Sequence, residues 1–300
     1  MIESPLNYTG GKSKILDQLI PLFPKGIDCF IDLFCGGCNV GLNVESNRVV
    51  YNDYNKYLIK LYSLLLKNKK ENTIENIYDI INEYKLSLVS KNGYGYYGCD
   101  SSNGVANYNR DKYNRLRADF NHMKKNKEAF IYLYVLIVYA FNNQIRFNSK
   151  GEFNLPVGKR DFNKNIENKL NIFIDRIKHQ DCMFKSDNFI DFDISKLKKN
   201  DFVYVDPPYL ISCASYNENS GWTDLHEKQL LNLLDDLDDR KIRFALSNVL
   251  ESKGNENIIL KAWLQNNPKY NVHNIVKDYS NSNYQRKTRN DSVEVLITNY

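Results

Sequence analysis

No stretch of this 300-residue chain stays apolar for the roughly 20 residues that a bilayer span requires. The longest apolar run, Ala129 to Phe141, carries three tyrosines and reads as a buried helix. Met1 to Leu6 contains Glu3 and no apolar core, unlike a secretion signal, so the expected setting is soluble and cytoplasmic. The six cysteines include Cys35 and Cys38 at two-residue spacing, but a zinc site needs a second ligand pair and the remaining cysteines are scattered. No metal is expected, and small buried thiols beside a glycine turn account for the pair. The third glycine of a dinucleotide fingerprint is missing after Gly36-Gly37. The first glycine of a phosphate loop is missing too, because Leu6 stands where Gly10-Gly11-Lys12-Ser13 would need it. Internal repeats and low-complexity linkers are absent.

What is present is enough apolar residue, 42%, to build a substantial core. Strand and helix patterns alternate at both ends. Lys14 to Phe23 reads as an amphipathic helix, Asp28 to Leu33 as a strand, Gly36 to Val44 as a helix, Arg48 to Tyr51 as a strand and Lys56 to Lys67 as a helix. The pattern resumes with strands at Cys182 to Lys185, Phe202 to Val205 and Arg243 to Leu246. Strands near Tyr270 to Ile275 and Val293 to Asn299 would pair across a charged loop, Asn281 to Asp291. Such alternation predicts a mostly parallel sheet covered on both faces. Between them strand signals fade. The expected organisation is therefore one domain from 1–70 and 171–300, with a mainly helical insertion at 71–170 that includes a hairpin near 141–160.

The net charge of +5 is unevenly placed: Lys91 to Leu170 holds fourteen basic residues against seven acidic ones. Tyrosines and phenylalanines interleave with them, among them Tyr94, Tyr108, Phe120 and Phe147. Cations among aromatic rings suit a phosphate backbone with stackable bases; the alternative is a solvated lysine- and asparagine-rich surface.

Four places in the sequence carry chemistry. Asp206-Pro207-Pro208-Tyr209 closes the apolar run Phe202 to Val205, where a parallel strand delivers residues to a ligand crevice. The two prolines fix φ and remove backbone donors, so the acid, the carbonyl and the ring keep one geometry. Asp32-Leu33-Phe34-Cys35-Gly36-Gly37 sits at another strand end, where an acid repels a pyrophosphate and attracts an ammonium or sulfonium group. Asp53 ends the next strand, placed to accept from ribose hydroxyls or to cap the helix starting near Lys56. Near the start, the Gly10-Gly11-Lys12 turn offers backbone N–H groups and one ammonium to a carboxylate.

Together with Tyr8-Thr9-Gly10-Gly11-Lys12, Asn52-Asp53 and the segment Arg146 to Pro156, these motifs resemble the Dam-like, D12 class of DNA adenine-N6 methyltransferases, in that family's order and over nearly the whole chain. The closing segment Val293 to Asn299 is similar to restriction-modification methylases of the EcoRV type. The resemblance implies a Rossmann-like α/β methyltransferase fold, with a mostly parallel seven-stranded sheet and an antiparallel C-terminal strand. It also implies S-adenosyl-L-methionine as cofactor. Tyr8, Gly10, Gly11 and Lys12 would meet the methionine carboxylate, Asp32 with Phe34 and Gly36 the amino group and its surroundings, Asp53 the ribose, and Asp187 with Phe189 the adenine ring. Asp206 and the Pro207 carbonyl would accept the hydrogens of adenine N6 while Tyr209 stacks on the flipped base; Pro208 completes the catalytic motif.

Duplex DNA would be read by Asn7, Phe141, Asn142, Gln144, Arg146, Asn148, Lys150 and Pro156, with Arg146 bonded to a guanine and Phe141 wedged at the vacated base or packed in the core. The resemblance implies a GATC or other GAT-containing site; GATC methylases of the family carry lysine where this chain has Asn7, a departure that counts against plain GATC and leaves a longer or altered GAT-containing site open. A monomer, with a cognate restriction endonuclease acting on the same site, completes the expectation. Methylation of cytosine N4, or a DNA-binding regulator that has lost catalysis, are the alternatives.

Overall fold

The computed structural model describes residues 1–8, 10–126, 128–211, 221–276 and 292–300. Thr9, Cys213 and the expected charged loop Asn281 to Asp291 lie outside them. The chain divides into two compact units, one of Met1, Lys12–Tyr54 and Asp181–Tyr300, the other of Ile2–Gly11 and Asn55–Gln180. The second unit is wider than the 71–170 segment expected from the sequence, because the helix at Lys56–Lys67 and the first residues of the chain group with it.

The first unit is built on strands β1 (Ile27–Asp32), β2 (Ser46–Asn52), β3 (Cys182–Lys185), β4 (Phe202–Val205), β5 (Arg243–Ser252), β6 (Asn255–Glu256), β7 (Asn271–Ile275) and β8 (Ser292–Thr298). They form one sheet in the order β3-β2-β1-β4-β5-β8-β7, with β6 paired to β5. The five strands from β3 to β5 run parallel, and β8 is antiparallel to both neighbours. This is the mostly parallel sheet with an antiparallel C-terminal strand that the resemblance implies, with β6 added to the seven strands expected. The chain leaves β1 toward β2 and β3, then returns to β4 on the other side, so the strand order reverses between β1 and β4. A reversal of this kind opens a crevice beyond the carboxyl ends of the two strands.

The central strands are apolar on both faces, as a sheet covered twice requires. Ile31, Val203, Val205, Phe244 and Leu246 pack with Leu230, Leu234 and Leu260 of two helices, Asp224–Asp239 and Ile258–Asn266. On the opposite face Phe23, Phe30, Phe202 and Tyr204 cluster with ring centroids 5.0–6.4 Å apart.

Two helix expectations fail here. Gly36 to Val44 forms successive turns rather than a helix, because Gly36 and Cys38 take left-handed backbone angles (φ 45° and 62°) that a right-handed helix cannot include. Lys14 to Phe23 breaks into a four-residue helix, Leu16–Leu19, between two 3-10 turns. Ile15 departs from helical angles, and Pro21 has no N–H to continue the ladder.

Among the described residues the second unit holds six α-helices: Lys56–Lys67, Lys70–Glu83, Val89–Tyr96, Ala106–His122, Ala129–Tyr139 and Lys164–His179. Ala129–Tyr139 is apolar all round and is enclosed by the first, second and fourth of these. Among the described residues, no helix is long and apolar enough to cross a membrane. After it the chain folds back on itself, and the expected hairpin is reduced to two antiparallel bridges, Ala140 with Val157 and Phe147 with Phe153. Gly158 closes the root: a side chain there would meet the Ala140 carbonyl oxygen at 2.3 Å.

Candidate active site

Register places the acids of the first unit. Asp32, the last residue of β1, pairs with Tyr204 of β4, so Asp206 follows two positions beyond that level. Asn52, the last residue of β2, binds three strand ends at once. Its Nδ2 donates to the carbonyls of Leu33 and Asp187, both at 3.1 Å, and its Oδ1 accepts from the Asp187 N–H at 3.0 Å. Its carbonyl accepts from the Cys35 N–H at 2.8 Å. Asn52 was legible in the sequence only as the neighbour of Asp53; its fastening role requires three segments far apart in the chain.

Asp53 accepts the Gly36 N–H at 2.9 Å. Capping of the following helix falls instead to Asn55, whose side chain accepts from the Tyr57 and Leu58 amides. The bond from Gly36 holds the left-handed turn that leads away from Asp32. Asp32 is 2% exposed and accepts from the Gly41 N–H at 3.2 Å. Burial pushes its carboxyl up to about 8, the Gly41 bond pulls it down, and the nearby negative charges of Asp206 and Asp53 add to the rise. The charge of Lys12 also pulls it down, yet burial outweighs it, so the acid is suited to a ligand that brings a further cation.

Asp206 is engaged from two sides. The Lys12 Nζ donates to its Oδ1 at 2.6 Å and to the Tyr209 hydroxyl at 2.7 Å, and that hydroxyl donates to Asp206 Oδ1 at 2.9 Å. Burial raises the Asp206 carboxyl, and Lys12 and Tyr209 oppose the rise. Removing one partner from a buried pair like this costs about 3–5 kcal/mol, because the other charge is left uncompensated. The structure thus places Lys12 on the catalytic-motif acid. Pro207 is buried, Pro208 exposed and Tyr209 half-buried, with its hydroxyl turned back onto Asp206.

An aromatic wall stands beside the acids. Phe34, Phe189 and Trp222 meet with ring centroids 5.4 Å (Phe34–Phe189), 5.8 Å (Phe34–Trp222) and 5.3 Å (Phe189–Trp222) apart. Phe189 opens a 3-10 turn capped by the Asn188 side chain. Sequence reading missed Trp222. Its Nε1 donates to Glu227 at 2.5 Å, and that fully buried carboxylate also accepts from Asn248 and Asn257. The signal available was a tryptophan just ahead of the Thr223 helix cap, which by itself says nothing of a ring pocket.

The second unit contains the residues expected at DNA. Asn7 donates through Nδ2 to the Asn142 carbonyl at 2.9 Å, so these two are brought together. Asn142 and Asn143 both adopt left-handed angles, and Phe141 ahead of them is 51% exposed rather than packed in the core. The Arg146 Nε donates to Asn154 Oδ1 at 2.8 Å and its Nη2 to the Asn154 carbonyl at 3.3 Å, which pins the guanidinium across the fold-back. Asn148 builds the turn: its Oδ1 accepts from the Lys150 and Glu152 amides and its Nδ2 donates to the Glu152 carboxylate. Lys150 and Pro156 are exposed, Gln144 is half-buried, and the Pro156 carbonyl accepts from the Phe141 N–H. Phe147 stacks on Tyr57 at 3.9 Å.

Residues 8–281 match the family of D12 class N6 adenine-specific DNA methyltransferases. The chain is 41% identical over its whole length to the type II methyltransferase M.FokI of Planomicrobium okeanokoites and 38% identical to the modification methylase StsI of Streptococcus sanguinis. It spans 43% of the length of each. The DNA adenine methylase of Escherichia coli K12 is 25% identical over 87% of this chain and 83% of its own.

Proposed function

We propose, on the premise that the chain belongs to the D12 class N6 adenine-specific DNA methyltransferase family, that it transfers a methyl group from S-adenosyl-L-methionine to N6 of an adenine flipped out of duplex DNA. The observation that carries this reading is Asp206, held by Lys12 and Tyr209 beyond the strand end where the sheet order reverses, with Asp32 ending the neighbouring strand.

The residues present suit the cofactor. Asp32 is a buried acid whose desolvation outweighs the nearby charge of Lys12, Asp53 directly follows the next strand, and Phe34, Phe189 and Trp222 offer apolar faces for a purine beside the Asp187 backbone that Asn52 fixes. Tyr8, Gly10, Gly11 and Lys12 remain proposed contacts to the methionine carboxylate. When bound, the cofactor supplies an electrophilic methyl on a sulfonium. The chain's own task is to make adenine N6 a nucleophile, since its lone pair is delocalised into the ring. Asp206 and the Pro207 carbonyl accept the amino hydrogens, which favours a pyramidal nitrogen, and Tyr209 packs against the extruded base. Positioning and electrostatics supply the rate, with no covalent enzyme intermediate.

Arg146, with its guanidinium oriented by Asn154, is proposed to read a guanine in a GATC or other GAT-containing site. Asn7, Phe141, Asn142, Gln144, Lys150 and Pro156 would complete the DNA surface, and Asn148 would shape the turn that carries Lys150. A cytoplasmic monomer and a cognate restriction endonuclease sharing the site belong to the same proposal.

The test is to express the chain in a methylation-deficient host and sequence its DNA for N6-methyladenine at single-base resolution. One modified motif, lost in Asp206→Ala, is the expected result. N4-methylcytosine in its place, or no modified base with folded protein present, would overturn the reading.

A further inference from the structure

A second buried carboxylate stands at the catalytic motif, delivered by the reversed strand. Because β8 runs antiparallel to β5, its beginning lies at the crevice edge of the sheet. Glu294 pairs with Val249, three residues beyond Leu246, which itself pairs with Val205 ahead of Asp206. Glu294 is 5% exposed and Lys12 4%, whereas Asp206 is 17% exposed. The Glu294 Oε1 lies 3.7 Å from the Lys12 Nζ and 3.3 Å from the Tyr209 hydroxyl. The same ammonium and the same hydroxyl therefore stand between two carboxylates, with the ammonium closer to Asp206.

That arrangement has a chemical consequence. A carboxylate oxygen bonded to an ammonium and a phenol is a weakened acceptor for a third group. For Asp206 Oδ1 to take a hydrogen from an amino nitrogen at full acceptor strength, the cation and hydroxyl have to move off that oxygen, and a buried cation is costly to leave without an anion. Glu294 is a carboxylate of the chain itself already placed beside it, and the ammonium needs a shift of only about 1 Å to reach bonding distance of it.

We infer that Glu294 is a positioning residue that draws Lys12 and the Tyr209 hydroxyl off Asp206 when the substrate amino group arrives. The inference rests on the amino-methylation reading above. Glu294 touches neither substrate nor cofactor in it and acts through Lys12 and Tyr209.

The test uses the full chain in single-turnover methylation of a duplex carrying its own site, with cofactor affinity measured by calorimetry. Glu294→Gln keeps the shape and removes the charge. Its rate constant is expected to fall about tenfold or more while cofactor affinity stays within about threefold, a split that a general loss of structure would not produce. Glu294→Asp, which keeps the charge, is expected to hold the rate within about threefold of the wild type and remains informative if the glutamine variant fails to fold. A Gln variant within about twofold of the wild-type rate, or an Asp variant that loses as much as Gln, overturns the inference and leaves adenine methylation standing. A wild-type chain that methylates no adenine removes both.

Discussion

Asn52 holds Asp187 by both of its main-chain polar groups: the Asp187 N–H donates to Asn52 Oδ1 at 3.0 Å, and the Asn52 Nδ2 donates to the Asp187 carbonyl at 3.1 Å. The asparagine that ends β2 thereby fixes the loop after β3, and through its bond to the Leu33 carbonyl it fixes the exit from β1 as well. Three strand ends are bound by one buried amide.

Asn52→Ala leaves those groups without their partner in a buried setting. A loss of about 1–3 kcal/mol in unfolding free energy is expected, read by urea titration, together with weaker S-adenosyl-L-methionine binding. Asn52→Asp should do comparable harm, because a carboxylate cannot donate to the two carbonyls. Unchanged stability in both variants would show that the loops hold without the latch.

Asp32 makes stability and binding depend on pH in opposite directions. Its folded-state carboxyl is raised to about 8 from 3.8, so its contribution to stability is full below the unfolded value and is lost as pH rises toward 8. Asp32→Asn should therefore be near neutral at pH 4 and raise the melting temperature of the ligand-free chain above pH 8. Binding of the cationic amino group favours the ionised acid. Affinity in the wild type should weaken by up to about tenfold per unit as pH falls below 8, and calorimetry across pH 6 to 8 should find that dependence absent in Asp32→Asn. A flat wild-type profile would remove Asp32 from the ammonium contact.

Trp222 provides an optical reading of the aromatic wall, because the chain has only two tryptophans. The other, Trp263, is buried against Asp235 and Tyr270, among the residues that pack on the sheet. Cofactor binding should quench fluorescence in the wild type and in Trp263→Phe but not in Trp222→Phe, whose affinity should fall by about 0.5–1.5 kcal/mol. A quench that follows Trp263 instead would place the purine elsewhere.

Arg146 is oriented by Asn154 through two of the guanidinium's five donors. Arg146→Ala should weaken binding to the cognate duplex by about 1–3 kcal/mol and relax choice at one base. Asn154→Ala should relax choice at the same base while leaving the guanidinium present. Arg146→Lys should behave like the alanine variant at that base, since a lysine cannot form the planar pair of bonds. Competition titration against duplexes altered one base at a time checks all three; equal affinity for every duplex in the wild type would show that Arg146 reads no base.

Where the chain's own pattern repeats over adjacent residues, the sequence was readable. Phe202 to Val205 is apolar throughout and is a strand buried on both faces; Ala129 to Tyr139 is apolar at every angle and is a helix buried on every side. The acids at the strand ends were readable for the same reason, since Asp32, Asp53 and Asp206 each stand next to the apolar run that delivers them. Gly36 to Val44 misled because its apolar spacing matches a helix while two of its residues are held in left-handed turns, one of them through a bond to Asp53.

Local composition, then, determined the sheet's main strands, the buried helix and the identity of the acids that end β1 or directly follow β2 and β4, because hydrophobic burial depends on which neighbours share a face. Only the tertiary structure decided which charges meet. Lys12, Asp206, Tyr209 and Glu294 come from widely separated parts of the chain, and Glu294 reaches the others because β8 runs antiparallel to β5 and so begins at the end of the sheet where β4 finishes. Coulombic pairing acts over a few ångströms of space regardless of separation along the chain, and no pattern of neighbouring residues records it.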